Sequence, residues 1–128
     1  MICSGRFFQD GHPTVIIAFD TNDKCLVVNI TEYNEARSFR FDNTCVLESG
    51  SHEYITKKSM VSYQDSKLIK TSELENDLLK GYLRYSKNIV STEVMTQINQ
   101  GFKKANDSKI LSKEVVKFIR NTIPDLLG

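Results

Sequence analysis

The sequence predicts an α+β fold in which a small antiparallel β-barrel over residues 1–71 is followed by three amphipathic α-helices. Two observations predict it. Before Thr71, β-branched and aromatic residues are frequent and are interrupted by Gly, Asn and Asp, whereas after it the hydrophobic residues recur with a helical period. A chain of 128 residues with 40% hydrophobic and 26% charged residues has the size and composition of one folded domain. We therefore expect a single domain over residues 1–128, with strands first and helices second.

The first half contains five or six short strand candidates with no helix between them, which predicts a small barrel or a strongly bent antiparallel sheet. The run TVIIAF at 14–19 is continuously apolar, as is typical of a strand covered on both faces. The segment DTNDK at 20–24 predicts a hairpin turn, because Asp and Asn side chains bond to their own backbone. CLVVNIT at 25–31 is then the antiparallel partner strand. The other strand candidates are ICSGRFF at 2–8, ARSFRF at 36–41, TCVL at 44–47 and MVSYQDSKLI at 60–69.

The first predicted helix is the segment SELENDLLKGYLRY. It opens with Ser72 and Glu75 in the spacing of a capping box, in which each side chain bonds an orphan backbone N–H. Leu74, Leu78 and Tyr82 then fall on one face, so this helix is amphipathic. We expect it to lie on the surface of the sheet.

The second and third predicted helices are also amphipathic. STEVMTQINQGFKKA begins at Ser91 or Thr92, and Gly101 weakens it because glycine is a poor helix former. SKEVVKFIRNTI is capped by Ser112 and is ended by Pro124. Lys103, Lys104, Lys109 and Lys113 accompany these helices, and we interpret them as a solvated face.

Composition limits the classes of partner. The formal net charge is +1, so a site for RNA or DNA has to be a local patch. The longest apolar runs are far shorter than the roughly 20 residues of a membrane helix. The start MICSGRFFQD lacks a basic segment followed by a long apolar stretch, so we expect no secretory signal. Three cysteines at unrelated spacings, Cys3, Cys25 and Cys45, suit reduced thiols in a cytoplasmic protein.

Several familiar chemistries are missing from the sequence. It has no glycine-rich phosphate loop, no C-x-x-C pair, no H-E-x-x-H and no G-x-S-x-G elbow. The spacing between Cys45 and His52 matches no common zinc site. We therefore expect neither a metal nor another cofactor.

Polar side chains of the strand half concentrate at strand ends. His12 precedes one strand and Thr31 ends its neighbour, while His52 and Ser59 flank the strand candidate EYIT. Such positions on a rigid sheet are where binding and catalysis are most often found. The same residues are also explained without function, because a histidine before a proline at a strand entrance is often bonded to backbone.

Three stretches resemble the MazF/PemK-type toxins, the endoribonucleases of bacterial toxin–antitoxin pairs. In that family an x-R-P motif enters an early strand rich in valine and isoleucine, and here Gly11-His12-Pro13 precedes TVIIAF. The family's next strand ends in a P-I-T-type motif, and here Asn29-Ile30-Thr31 closes CLVVNIT. SMVSYQDSKLIKTSELENDLL resembles a later family segment in order and composition, so that the resemblance covers roughly residues 1–80.

The resemblance implies an SH3-like barrel that cleaves single-stranded RNA without a metal, by attack of the ribose 2′-OH on the adjacent phosphate. The family's threonine falls on Thr31, and its arginine falls on His12. Histidine lacks the permanent charge of arginine but is a general acid or base near neutral pH. His52 is the candidate for the complementary proton transfer. The candidates for contacts with RNA are Arg37, Arg40, Lys57 and Ser59.

The resemblance further implies an antitoxin protein as partner, a homodimer and a cytoplasmic location. Two other readings stay open at this point. The departure from arginine at His12 also fits an inactive SH3-like barrel that binds a protein or a nucleic acid without catalysis. A small hydrolase or transferase with an unfamiliar motif is the third.

Overall fold

The computed structural model describes residues 2–33 and 45–128. Its α+β architecture combines one antiparallel sheet with three α-helices and a short 3₁₀ helix, Pro124–Leu127. The strands are β1 (Arg6–Asp10), β2 (His12–Phe19), β3 (Lys24–Glu32), β4 (Val46–Leu47), β5 (Ser59–Lys70) and β6 (Arg84–Ile89). The helices are α1 (Thr71–Leu79), α2 (Thr92–Asp107) and α3 (Lys113–Thr122).

The six strands follow the order β4-β5-β3-β2-β1-β6, and each neighbouring pair is antiparallel. β4 and β6 are therefore the two ends of the strand order. The loop between β4 and β5 nevertheless contacts β6, because His52 hydrogen-bonds to the backbone of Asn88. The sheet is thus curled into a half-barrel.

The strands predicted at 14–19, 25–31 and 60–69 correspond to β2, β3 and β5. The predicted turn at 20–24 is confirmed together with its mechanism, since Oδ1 of Asp20 accepts from the backbone N–H groups of Asn22 and Lys24, both at 2.9 Å. TCVL contributes only the two-residue strand β4. The candidate at 36–41 lies outside the described residues.

The start of α1 differs from the predicted capping box. The N-cap residue is Lys70, whose side chain makes no capping bond, and Ser72 lies inside the first turn. Asp23 of the β2–β3 turn takes the capping role instead. Its carboxylate accepts from the backbone N–H of Ser72 at 2.9 Å and from the Ser72 hydroxyl, and its backbone carbonyl accepts from the N–H of Thr71 at 3.0 Å. The cap comes from 49 residues earlier in the chain, which no local pattern can indicate.

The predicted first helix also continues too far. α1 ends at Leu79, Gly81 adopts a positive φ of 78°, and of the residues expected to extend the helix, 80–83 form a turn while Arg84 and Tyr85 begin β6. Tyr82, expected on the buried face, is 71% exposed. The reason is tertiary, because β6 pairs with β1 and completes the sheet order at that end.

The helices α2 and α3 begin as predicted. Ser91 caps α2 by accepting from the backbone N–H of Val94, and Ser112 caps α3 by accepting from that of Val115. Both helices cover one face of the sheet. The core between them is formed by buried apolar side chains, the largest of which are Phe7, Tyr63, Phe102, Leu26, Ile30, Ile98 and Ile119.

Gly101 of α2 is a poor helix former, but it is needed for packing against Tyr63. The Tyr63 hydroxyl donates to the carbonyl of Ile98 at 2.6 Å, and a Cβ placed on Gly101 would lie 1.9 Å from that hydroxyl oxygen. Tyr63 also packs edge-on against Phe102, with ring centroids 4.9 Å apart. Glycine at 101 therefore allows α2 to approach β5 closely.

The opposite face of the sheet is divided. One half holds a second apolar cluster that includes Phe8, Ile16, Val27 and Leu74, the last of which comes from α1. The other half, near the start of β2 and the end of β3, carries polar side chains. That polar half is where the predicted residues His12 and Thr31 lie.

Candidate functional site

The polar half-face follows from strand pairing. Thr14 of β2 faces Asn29 of β3, Asn29 faces Ser62 of β5, and Thr31 faces Met60. Paired residues of antiparallel strands point to the same side of a sheet, and residues two apart along a strand do so as well. These side chains therefore share one face, while their immediate neighbours along the strands enter the core.

These side chains line an open cleft of about 330 Å³ that contains both His12 and Thr31. His12 lies at the first position of β2, where the strand places it on the same face as Thr14. The remaining residues of the lining are Asn29, Met60, Ser62, Gln64 and Asp65. The sequence motifs of His12 and Thr31 are thus brought together by the pairing of neighbouring strands.

Hydrogen bonds fix the polar groups of the cleft. The buried hydroxyl of Thr14 lies 3.2 Å from Oδ1 of Asn29 and 3.1 Å from the carbonyl of His12. A bond to Oδ1 orients the Asn29 amide so that its Nδ2 donors face away from Thr14. On β5, the Ser62 hydroxyl donates to Oδ2 of Asp65 at 2.6 Å and so holds that carboxylate at the rim of the cleft.

Sequence reasoning missed Asn29 as a functional candidate in its own right, and it also missed Ser62 and Asp65. Alternation along β5 could have placed Ser62 on the polar face, because it is two residues from Met60. Asp65 is different. The pairing of β5 with β3 is irregular at this point, because Val27 of β3 faces Lys67 of β5 whereas Asn29 of β3 faces Ser62. The extra residues form a bulge, and bulges commonly redirect side chains near sites.

His52 does not line this cleft. It is buried, with its ring 4.5 Å from that of Phe7 between centroids, and both ring nitrogens are bonded. Nδ1 accepts from the backbone N–H of Tyr54 at 3.1 Å, and Nε2 donates to the carbonyl of Asn88 at 2.7 Å. A backbone N–H can only donate and a carbonyl can only accept, so the bonds select the neutral Nε2–H tautomer. The expected convergence of His52 with His12 is therefore absent, and His52 is placed as a structural group.

The loop around His52 differs from expectation in a second way. The segment EYIT, expected as a strand, is a turn at Glu53 and Tyr54 followed by two residues that belong to no strand or helix. Glu53 stabilises this turn, because its Oε1 accepts from the backbone N–H of Asn88 at 2.9 Å. That bond is the largest cause that lowers the pKa of the Glu53 carboxyl below its ordinary value. Consecutive side chains of the loop thus bond both backbone groups of one residue of β6.

The predicted RNA contacts are only partly located. Arg37 and Arg40 lie outside the described residues. The exposed ammonium of Lys57 lies 3.9 Å from the Glu32 carboxylate, an ion pair of two solvated side chains. The Ser59 hydroxyl is buried and donates to the carbonyl of Lys57 at 2.7 Å, so it is occupied by backbone. Neither residue lines the cleft that contains His12.

The described part of the cleft at His12 offers mainly hydrogen-bonding groups. Among the residues that the structure describes, its lining holds one carboxylate, Asp65, and one histidine, with neither lysine nor arginine. Residues 2–33 and 45–128 contain no group of three His, Cys, Asp or Glu side chains arranged to hold a metal ion. What the cleft offers a ligand is one imidazole together with hydroxyl and amide groups.

A larger cleft of about 860 Å³ lies between the 20–24 turn, the end of β5 and α3. Size usually favours a cleft as the binding site. Its described lining, however, contains neither histidine nor cysteine and mixes apolar, neutral polar and charged side chains. The described lining of the cleft at His12 combines an imidazole with ordered hydroxyl and amide groups.

Comparisons with models of known protein families, with curated proteins and with solved structures find no match to this chain. No helix among the residues that the structure describes is long and apolar enough to cross a membrane. Cys3, Cys25 and Cys45 are not joined by disulfide bonds, and Cys25 and Cys45 are buried. Functional inference therefore depends on the cleft geometry and on the resemblance of short motifs.

Proposed function

We propose that this chain is a MazF/PemK-like endoribonuclease that cleaves single-stranded RNA at the cleft containing His12 and Thr31. One observation carries the proposal: two motifs that are 19 positions apart in the sequence, His12 and Thr31, line one cleft. The curled antiparallel sheet supports the SH3-like barrel that belongs to this proposal. A cytoplasmic location, an antitoxin protein and a second copy of the chain belong to it as well.

His12 is the general base in this mechanism. Its neutral imidazole accepts the proton of the ribose 2′-OH, because histidine is the side chain suited to proton transfer near neutral pH. The 2′ oxygen then forms a bond to phosphorus, and the bond from phosphorus to the 5′ oxygen breaks. Solvent, which reaches the open cleft, protonates the departing 5′ oxygen. The products are a 2′,3′-cyclic phosphate and a 5′-hydroxyl, so the reaction needs no metal and no other co-reactant.

Thr31 and Asn29 stabilise the charge that develops on the phosphate. The Thr31 hydroxyl and the Nδ2 donors of Asn29 face the cleft that His12 also lines. Donors that are oriented before the reaction are effective because they need no reorganisation in the transition state. Thr14 supplies that orientation for Asn29 through the bond to Oδ1. Arg37 and Arg40 remain the predicted partners of flanking phosphates.

The test uses a fluorescent single-stranded RNA pool, purified protein and a chelator. We expect cleavage between about pH 5 and 8, the range in which histidine titrates, with cyclic-phosphate ends. An RNA carrying 2′-O-methyl groups should stay intact, because it lacks the nucleophile. His12→Ala should lower the rate by about 10²- to 10⁴-fold, the usual contribution of a general base. Intact RNA at every pH with wild-type protein would refute the nuclease.

A non-catalytic binding module is the second candidate, and the composition of the cleft favours it. The described residues of the lining include one carboxylate and several hydroxyl and amide groups, which suits a ligand with hydrogen-bond donors. The same assay separates the two functions. Binding of RNA or of a protein without cleavage, weakened by Thr31→Ala and by Asp65→Asn, would favour the module.

A further inference from the structure

A second cleft, of about 520 Å³, lies on the helical side of the molecule. It is formed by the end of α2, the α2–α3 turn and the outward side of α3. Four cationic side chains line it, together with two asparagines and two apolar residues, and none of these described residues carries a carboxylate. The cations are Lys109, Lys113, Lys117 and Arg120. We name this surface the α3 basic cleft.

The α3 basic cleft lies on the other side of the sheet from His12. The side chains of α3 that face the core are Val115, Phe118 and Ile119, and they pack on the sheet face opposite to the His12 cleft. Lys113, Lys117 and Arg120 alternate with them along the helix and are exposed. The two clefts share no lining residue.

Within the described part of the chain, no carboxylate forms an ion pair with any of the four cations. The ion pair found there joins Lys57 to Glu32, and the approach of the neutral His52 to Glu53 involves none of the four. Glu114 is the nearest acid in the sequence of α3; it lines the adjoining larger cleft, which Lys117 also lines, and it is not among the described lining residues of the α3 basic cleft. Like charges held together repel, and a polyanion relieves that repulsion while it releases its own counterions.

The arrangement of the cations is linear. Lys113, Lys117 and Arg120 are separated by four and three residues, so they follow one side of α3 over about 10 Å at 1.5 Å per residue. The half-buried Val116 and the buried Leu111 add apolar surface to the cleft. The described residues of the lining include no aromatic ring on which a base could stack. A row of cations without a stacking platform suits contact with phosphates and not with bases.

We propose that the α3 basic cleft binds the phosphate backbone of a nucleic acid, independently of base sequence. This site is distinct from the His12 cleft and does not depend on catalysis there. Lys109, Lys113, Lys117 and Arg120 contact phosphate oxygens, and Asn106 and Asn121 add neutral hydrogen bonds. A net charge of only +1 for the whole chain makes the local cluster, and not the overall field, the source of binding.

The test measures fluorescence anisotropy of a labelled oligothymidylate of about 16 nucleotides, the upper length of a common single-strand site. DNA lacks the 2′-OH, so cleavage does not interfere and failure of the nuclease proposal leaves this test intact. The variant K113Q/K117Q/R120Q should bind at least about tenfold more weakly at low salt. Its plot of log affinity against log salt should lose a slope of about 2, because single strands contribute about 0.7 per phosphate contact.

The matched control is K80Q/R84Q/K87Q, which removes two lysines and one arginine from exposed positions around the start of β6. It gives the same net charge and should bind like the wild type. Circular dichroism should show both variants to be folded, since all substituted residues are exposed. Equal weakening by both triples would overturn the proposal, because it would make the effect one of net charge. Binding of polyglutamate in place of oligothymidylate would also overturn it, by assigning the cleft to an acidic protein segment.

Discussion

His52 donates from Nε2 to the backbone carbonyl of Asn88 at 2.7 Å, and this bond joins the β4–β5 loop to β6 at the far end of the strand order. The backbone N–H of Asn88 returns a bond to Glu53 at 2.9 Å. Both polar backbone groups of one residue are therefore used to hold the curl of the sheet. His52, which the sequence indicated as a candidate acid or base, instead helps to hold the curl of the sheet.

His52→Ala should lower the free energy of unfolding by about 2–4 kcal/mol, because it removes two hydrogen bonds and the packing of the buried ring on Phe7. Urea unfolding followed by circular dichroism measures this. The exposed His12→Ala is the matched control and should change stability by less than about 0.5 kcal/mol. Equal stability of the two variants would contradict the role of His52 in holding the curl of the sheet.

Gly101→Ala should destabilise the protein by about 1–3 kcal/mol, although alanine favours a helix over glycine by about 1 kcal/mol. The added Cβ would lie 1.9 Å from the Tyr63 hydroxyl oxygen and 2.4 Å from the ring carbon that bears it. Gln100→Ala, at an exposed position of the same helix, should be neutral or slightly stabilising.

A second experiment measures the thermal unfolding of Gly101→Ala in a Tyr63→Phe background. Removal of the hydroxyl relieves the closest contact, so the two substitutions should couple, and the double variant should be less destabilised than the sum of the single variants. Simple additivity would show that Gly101 is needed for another reason.

Asp23 should make stability depend on pH in the acid range. Its side-chain and backbone hydrogen bonds with Ser72 lower the pKa of its carboxyl in the folded protein. A carboxyl with a lower pKa in the folded state than in the unfolded state stabilises the fold at pH values above its unfolded pKa, about 3.9. That stabilisation is lost as the pH falls through the folded pKa.

Asp23→Asn keeps the positive φ of 61° accessible, since asparagine tolerates the left-handed region, but it removes the charge. The wild type should have the higher thermal midpoint above about pH 4, and the two proteins should converge in stronger acid. Asp107→Asn, at an exposed carboxylate on α2, controls for the loss of one negative charge. A constant difference between wild type and Asp23→Asn down to the lowest pH would contradict this role.

Cys25 should resist alkylation while the protein is folded. Burial raises the pKa of its thiol to about 11, and the thiolate is the reactive form. At pH 8 about one molecule in a thousand then carries a thiolate at this position. Iodoacetamide labelling followed by peptide mass spectrometry should modify the partly exposed Cys3 first. Labelling of Cys25 at the rate of Cys3 would refute the effect of burial.

The parts of the fold that local pattern determines were predicted correctly. The apolar runs of β2 and β3, the turn that Asp20 organises, and the caps at Ser91 and Ser112 all depend on residues within a few positions of one another. The start of α1 was predicted wrongly, because its cap is Asp23, 49 residues away. β6 was missed since it gains its stability only by pairing with β1.

The candidate site was also predicted only where local motifs determine it, and not where distant residues do. His12 and Thr31 were identified from motifs, and strand pairing brings them to one cleft. His52 could not be placed from sequence, because its partner Asn88 is 36 residues away and on another strand. Asp65 reaches the cleft through an irregularity of β5 that alternation does not describe.

The most direct test of the account compares the two histidines in one RNA cleavage experiment under single-turnover conditions. The rate is divided by the folded fraction that urea unfolding gives for each variant. His12→Ala should be stable but lose about 10²-fold or more in rate, whereas His52→Ala should be less stable but cleave at close to the wild-type rate per folded molecule. The opposite pattern, with His12→Ala fully active and folded His52→Ala inactive, would contradict the assignment of chemistry to His12 and of closure to His52.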